Sequence, residues 1–212
     1  MIKTLREYSF LVLLALLALF VLISPLIEIA ELRRGPLVIA LAVVIIAAAN
    51  AASDRMVQTA TAGILAVFAL TFNLIKLITA GSLFEILGDL SAICLLGFTV
   101  TVILNRIVRL EATNLNVLSG AAAVYLLLAL IWALSYRVIG ELAPGAFKGL
   151  SPDQFDAWSQ FLYFSLTTLT TLGYGDITPV NPFARIWATF EAVVGVLYVA
   201  ILVARLVSLY RR

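Results

Sequence analysis

Histidine is missing from this chain altogether, cysteine occurs once, and only 12% of its 212 residues are charged. Without histidine the commonest general base and metal ligand is gone, and no close cluster of cysteine and carboxylate residues replaces it. An enzyme is therefore not expected. The single cysteine, Cys94, excludes an internal disulfide and, set in an apolar run, reads as a buried spectator thiol. Scarcity of charge excludes still more. With 63% hydrophobic residues, a water-soluble domain of this size could not stay dispersed, so the chain is expected in a bilayer. Its net charge of +2 says little about partners. The basic residues sit mostly at the ends of apolar runs, where they meet lipid headgroups, and nothing points to nucleic acid.

Crossing the hydrocarbon takes about 20 apolar residues in helical form. Six runs qualify: Phe10 to Ile29, Pro36 to Ala52, Val57 to Thr79, Phe84 to Leu110, Val117 to Tyr136 and Phe183 to Tyr210. Lys3 and Arg6 ahead of the first run have the order of a secretory signal. The stretch is too long, however, and Ser24-Pro25-Leu26-Ile27-Glu28 lacks a small-x-small cleavage pattern, so a retained helix kinked at Pro25 is expected. Six spans put both termini on one side. With that side cytoplasmic, eight Lys and Arg residues are inside and six outside, which favours cytoplasmic termini.

Arg137 to Pro182 behaves differently. Gly140, Pro144, Gly145, Gly149 and Pro152 mark a turret-like exposed loop. Ser151-Pro152-Asp153-Gln154 then has the signature of a helix start: a capping serine, proline in the first turn, an acid at the positive end of the dipole and a capping-box glutamine. The helix that follows, through Trp158, Phe161 and Phe164 towards Thr170, is too short to cross and runs into Gly173-Tyr174-Gly175-Asp176. Irregular backbone at membrane depth is tolerated only where protein or a water-filled cavity covers it. A re-entrant loop here implies a pore.

Residues Thr168-Leu169-Thr170-Thr171-Leu172-Gly173-Tyr174-Gly175-Asp176-Ile177-Thr178-Pro179 resemble the selectivity filter of the potassium channel family. The resemblance extends over Val117 to Arg212. It implies an all-α membrane protein of six transmembrane helices plus a re-entrant pore helix and filter loop, assembled as a homotetramer that conducts K+ passively and needs no organic cofactor. In the family, four loops replace the ion's water with backbone oxygens. The residues implied here are Thr171, Leu172, Gly173, Tyr174 and Gly175, with K+ at the carbonyls of Thr171 to Tyr174 and at the Thr171 hydroxyl. Aiming successive carbonyls one way needs rare left-handed dihedrals, which glycine visits without steric penalty; hence Gly173 and Gly175. Tyr174 is expected to face away from the axis and brace the filter against the pore helix near Trp158 and Phe161. Asp176 lies at the outer mouth and Thr168 supports the loop from the pore helix. Leu172 departs from the family's usual valine.

By the same resemblance the sixth run lines the inner cavity and carries the gate. Gly195 resembles the family's hinge glycine, with close helix packing as the alternative. Glu191 is costly at that depth unless partnered. It is expected to bond to the pore helix or filter, from Thr167 or Thr168; the alternative is an acid at the water boundary. Arg205, Arg211 and Arg212 read as headgroup anchors. No cytosolic regulatory domain is expected beyond Arg212, so any ligand would be sensed within the membrane.

Six spans with the pore between the last two resemble the voltage-gated layout. They divide into residues 1–112, a four-helix module, and 113–212, the pore domain. A voltage sensor needs repeated charges, since one elementary charge crossing 100 mV supplies only about 2.3 kcal/mol. The fourth run has only Arg106 and Arg109, both at its inner end, so steep voltage gating is not expected. Asn50, Asn73, Lys76 and Asp89 read as interhelical hydrogen-bonding groups or snorkelling anchors. The link Glu111 to Asn116, about 9 Å if helical, is too short for exchange of modules between subunits. Localisation is expected in a cell membrane, the inner one of a bacterium. A potassium uptake transporter subunit, a non-conducting modulatory subunit and a membrane enzyme are the competing readings. A fourfold homomer, a reversal potential and flux stoichiometry separate them.

Overall fold

The structure, a computed structural model, describes residues 9–29, 35–51, 56–78, 82–109, 115–151 and 158–210. In chain order the elements are α1 (Ser9–Ile29), α2 (Gly35–Ala51), α3 (Met56–Ile78), α4 (Ser82–Arg109), α5 (Leu115–Leu142), β1 (Phe147–Lys148), α6 (Trp158–Leu169), β2 (Thr178–Pro179) and α7 (Pro182–Tyr210). Five helices, α1, α3, α4, α5 and α7, are long and apolar enough to cross a membrane. The chain is an all-α, multi-pass membrane protein with one short antiparallel ribbon. The run expected as a second span becomes α2, whose 17 residues reach about 25 Å, short of a hydrocarbon core of about 30 Å.

Helix α5 is the hub. Leu13 and Leu17 of α1, Leu95, Leu96 and Ile103 of α4, and Leu127, Leu130 and Leu134 of α5 are all buried in one apolar core. Small residues set how closely the helices approach: a Cβ at Gly120 would lie 2.7 Å from the Phe10 ring. The amide of Phe10 is one of the orphan donors of the first turn of α1. Asn116 accepts it through Oδ1 at 3.2 Å, and the Arg106 guanidinium lies 4.9 Å from the centroid of the same Phe10 ring. Pro25 lies inside α1, where it has no amide to offer the Val21 carbonyl.

A second core is aromatic. Tyr136, Phe147, Phe161 and Phe164 pack edge to face, with centroids 4.8 Å apart for Tyr136 and Phe164 and 5.4 Å for Phe147 and Phe161. It joins α5 to α6 beneath the ribbon, in which Phe147 pairs with Pro179 and Lys148 with Thr178. At the start of α7, Asn181 is the cap and its Oδ1 accepts the Phe183 amide at 2.8 Å. Pro182 occupies the first position, where a missing N–H costs nothing.

Several expectations change. Helix α5 continues to Leu142, so Arg137 belongs to it and not to the turret; Tyr136 and Ile139 continue its buried face. Cys94 is exposed in the single chain and not buried. Arg205 is more than a headgroup anchor, since its Nη2 donates to the Val108 carbonyl at 3.0 Å. Asn73 bonds within its own helix, to Ala69 at 2.8 Å. The expected capping residues Pro152, Asp153 and Gln154, the link from 110 to 114, and Arg211 and Arg212 lie outside the described residues, as does the Lys76 side chain.

Candidate functional site

The loop after α6 is built by hydrogen bonds running backwards. The Thr171 amide donates to the Thr168 carbonyl at 2.9 Å, and the amides of Leu172 and Gly173 both donate to the Thr167 carbonyl, at 2.8 and 3.1 Å. These acceptors are the orphan carbonyls at the C-terminal end of α6, so the helix terminus and the loop complete each other. Among the described residues no hydrogen bond engages the carbonyls of Thr171, Leu172, Gly173 or Tyr174. The loop spends its donors on the helix and keeps its acceptors.

Three alternate residues are left-handed, Thr171 at φ 59°, Gly173 at 53° and Gly175 at 82°. The two glycines adopt this freely. Thr171 is β-branched and its conformation costs about 1–3 kcal/mol, held by the bonds to α6 on either side of it. Such alternation turns successive peptide planes the same way, as stacked oxygen ligands require. Residues 171 to 176 are exposed in the single chain.

Tyr174 does brace against α6, but through a different residue from those expected. Its ring stacks on Tyr163 at 6.4 Å and 3°, whereas the ring contacts of Phe161 are made with Phe147. Trp158 does not reach this loop either: it is buried at the opposite end of α6, 5.9 Å from Phe20 of α1. A position eleven residues before the loop is about 16 Å away along a helix, which sequence proximity to the motif concealed. Tyr163 also donates its hydroxyl to Asp176. That bond, with backbone amides of Asp176 and Ile177, holds the Asp176 carboxyl below its ordinary range and raises the Tyr163 hydroxyl.

Glu191 is fully buried, so it is no acid at the water boundary. Its donor on α6 is Ser165, at 2.5 Å, and not the expected Thr167 or Thr168. The Tyr136 hydroxyl of α5 donates to its other oxygen. One carboxyl group thus joins α5, α6 and α7 behind the loop. Ser165 Oγ is also 2.8 Å from the Ala129 carbonyl, and the Tyr125 hydroxyl donates to Leu169 O at 3.2 Å. These hydroxyls were missed because Ser and Tyr in apolar runs read as helix surface. Gly195 lies against the end of α6, where a Cβ would overlap the Leu169 carbonyl.

On the far side of the loop, Val180 donates to Ala146 at 2.8 Å, and a Cβ at Gly149 would overlap the Asp176 carbonyl. Gly149, with φ 86°, is therefore required by both conformation and space. Among the described residues no cluster of carboxylates or cysteines could hold a metal ion.

A family profile described as ion channel matches residues 121–212. Protein LctB of Bacillus caldotenax is 32% identical over 124 residues, 53% of this chain and 92% of that protein. The inward rectifier potassium channel Kirbac3.1 of Paramagnetospirillum magnetotacticum is 31% identical over 88 residues, 42% of this chain and 28% of its own. The potassium channel SKOR of Arabidopsis thaliana is 30% identical over 113 residues, 49% of this chain and 14% of its own. The chain thus spans less than a third of the length of these two channels. No solved structure matches it.

Proposed function

We propose, since the chain belongs to the ion-channel family, that four copies surround one axis and conduct K+ selectively and passively through residues 171–175. The chain is not an enzyme, because proteins of this family are non-catalytic. The observation that carries the reading is the loop's division of labour. The amides of Thr171, Leu172 and Gly173 are committed to Thr167 and Thr168, three alternate residues are left-handed, and the carbonyls of Thr171 to Tyr174 are uncommitted among the described residues. In a ring of four, those oxygens can replace the water that K+ sheds. The relatives named as potassium channels match 42% and 49% of this chain, and their cargo is carried over as part of the proposal.

In this reading residues 1–112 form a four-helix module beside the pore domain 113–212, the short α2 crossing where the bilayer thins to meet it, with both termini cytoplasmic in a bacterial inner membrane. The lower half of α7 is the gate and Gly195 its pivot. Arg106 and Arg109 supply too little charge in the field for steep voltage dependence. Purified protein in planar bilayers under a K+ gradient, with Na+ opposing, tests the reading. The reversal potential should follow K+ and the particle mass should be that of a tetramer. Equal permeation of Na+, or a monomer, would overturn it.

A further inference from the structure

The most charged buried contact among the described residues lies outside the conduction loop, at the end of α5 away from Asn116. Asp89 of α4 is 1% exposed, and Arg137 of α5 meets it as a two-pronged fork: Nε donates to Oδ2 at 2.7 Å and Nη2 to Oδ1. The same guanidinium lies 5.6 Å from the ring centroid of Trp158, the first described residue of α6. Trp158 is itself held against Phe20 of α1. Three helices therefore meet at one cation, α1 joins them through Trp158, and α6 ends in the carbonyls that hold the filter loop.

Energetics say this pair is not there for stability alone. Moving two charges out of water costs about as much as their attraction returns, and a well-packed apolar pair would hold the helices together as well. An apolar pair would not fix direction. The guanidinium fork admits one orientation, and its face covers an aromatic ring in a way that a lysine ammonium would not reproduce. Helix α6, about 18 Å long, is stiff enough to carry a rotation or translation from Trp158 to Thr167 and Thr168.

We propose that Arg137, oriented by Asp89, is a positioning residue for ion conduction: it sets the seat of Trp158 and thereby the height at which α6 presents its last carbonyls to the filter loop. This rests on the channel reading given above and assigns the four-helix module a task, holding the filter in register from outside the pore domain.

The test uses the full-length protein in liposomes, with hydrogen exchange at the amides of residues 171–173 as one readout and the K+ to Na+ permeability ratio as the other. Asp89→Asn should speed exchange at 171–173 by about tenfold or more, leave α2 and α3 unchanged, and lower the permeability ratio. Arg137→Lys should fall between it and the native protein. Exchanging the charges, Asp89→Arg with Arg137→Asp, should not restore either readout, because Trp158 loses its cation. For the case in which single variants fail to fold, Asp89→Leu with Arg137→Met keeps the helices packed; it should assemble normally yet still loosen 171–173. Native exchange at 171–173 in that double variant, or in a folded Asp89→Asn, would overturn the proposal, as would equal acceleration in every helix. If the native protein passes Na+ as readily as K+, the channel reading fails while the exchange measurements still decide the role of Arg137.

Discussion

The two halves of this chain are held together by different physics. In α1 to α4 the contacts between helices are apolar and small, and the Thr99 hydroxyl, 2.9 Å from its own helix at Leu95 O and 3.4 Å from Ala48 O of α2, is a rare polar contact between them. From α5 onward the contacts are directional. Tyr136, Ser165 and Glu191 are bonded in one group, Tyr125 reaches Leu169 O, and Tyr198 reaches Ala121 O at 2.6 Å. Space-filling contacts tolerate sliding, because dispersion and burial depend weakly on orientation. Under the proposed reading the loop must place oxygens to within a fraction of an ångström, which needs contacts with direction, and this half of the chain supplies them.

Changes to the loop should show the contrast most strongly. Gly173→Ala forces a side chain into a left-handed position at about 1–2 kcal/mol per copy. Four copies multiply the effect, so K+ current in bilayers should fall by about 100-fold or more; a selective current of native size would mean the loop does not line the path.

Next comes the buried carboxyl. Glu191→Ala leaves the Tyr136 hydroxyl without its acceptor, and about 1–3 kcal/mol should be lost per chain, read as a lower melting temperature of the assembled protein. Glu191→Gln should lose less while altering conductance. Unchanged melting in both variants would break the claim that directional bonds hold this half.

A smaller effect is expected at the mouth, where it takes the form of a pH dependence. Because the Tyr163 hydroxyl and backbone amides stabilise ionised Asp176, its folded-state pKa lies below the ordinary value of 3.8. The stabilisation is complete above that value and is lost as pH falls through the lowered one. Tyr163→Phe removes the largest cause, so acid loss of current should begin at a higher pH than in the native channel. Coincident titration curves would show that the bond does not matter in the assembly.

The smallest effect belongs to the other half. Thr99→Val should change stability by about 0.5 kcal/mol, the low end of a hydrogen bond's net worth, measured by chemical denaturation in detergent. A loss several times larger would erase the distinction between the halves.

The same distinction governs what could be read in advance. The spans were legible because hydrocarbon demands long apolar runs whatever packs against them, and the loop because backbone strain dictates glycine at Gly173 and Gly175. The left-handed Thr171 ahead of them is not legible, since its conformation is imposed by bonds to the carbonyls of Thr167 and Thr168. Partners of Tyr174 and Glu191 were assigned by nearness in sequence to the filter motif. Tyr163 and Ser165 were overlooked because a helix of twelve residues turns its polar groups to faces that only packing against α5 and α7 identifies. Arg137 was taken for loop because glycine and proline follow it closely, yet α5 continues through Gly140 to pack against Phe161.

The ribbon of Phe147–Lys148 with Thr178–Pro179 anchors the chain just beyond the loop, as the carbonyls of Thr167 and Thr168 anchor it just before. The segment between is therefore strung between two fixed posts, like a cord cut to length. One residue more or fewer there has no slack to vanish into and would displace every oxygen rung at once. The tolerance of this protein to insertions should change abruptly across a few positions.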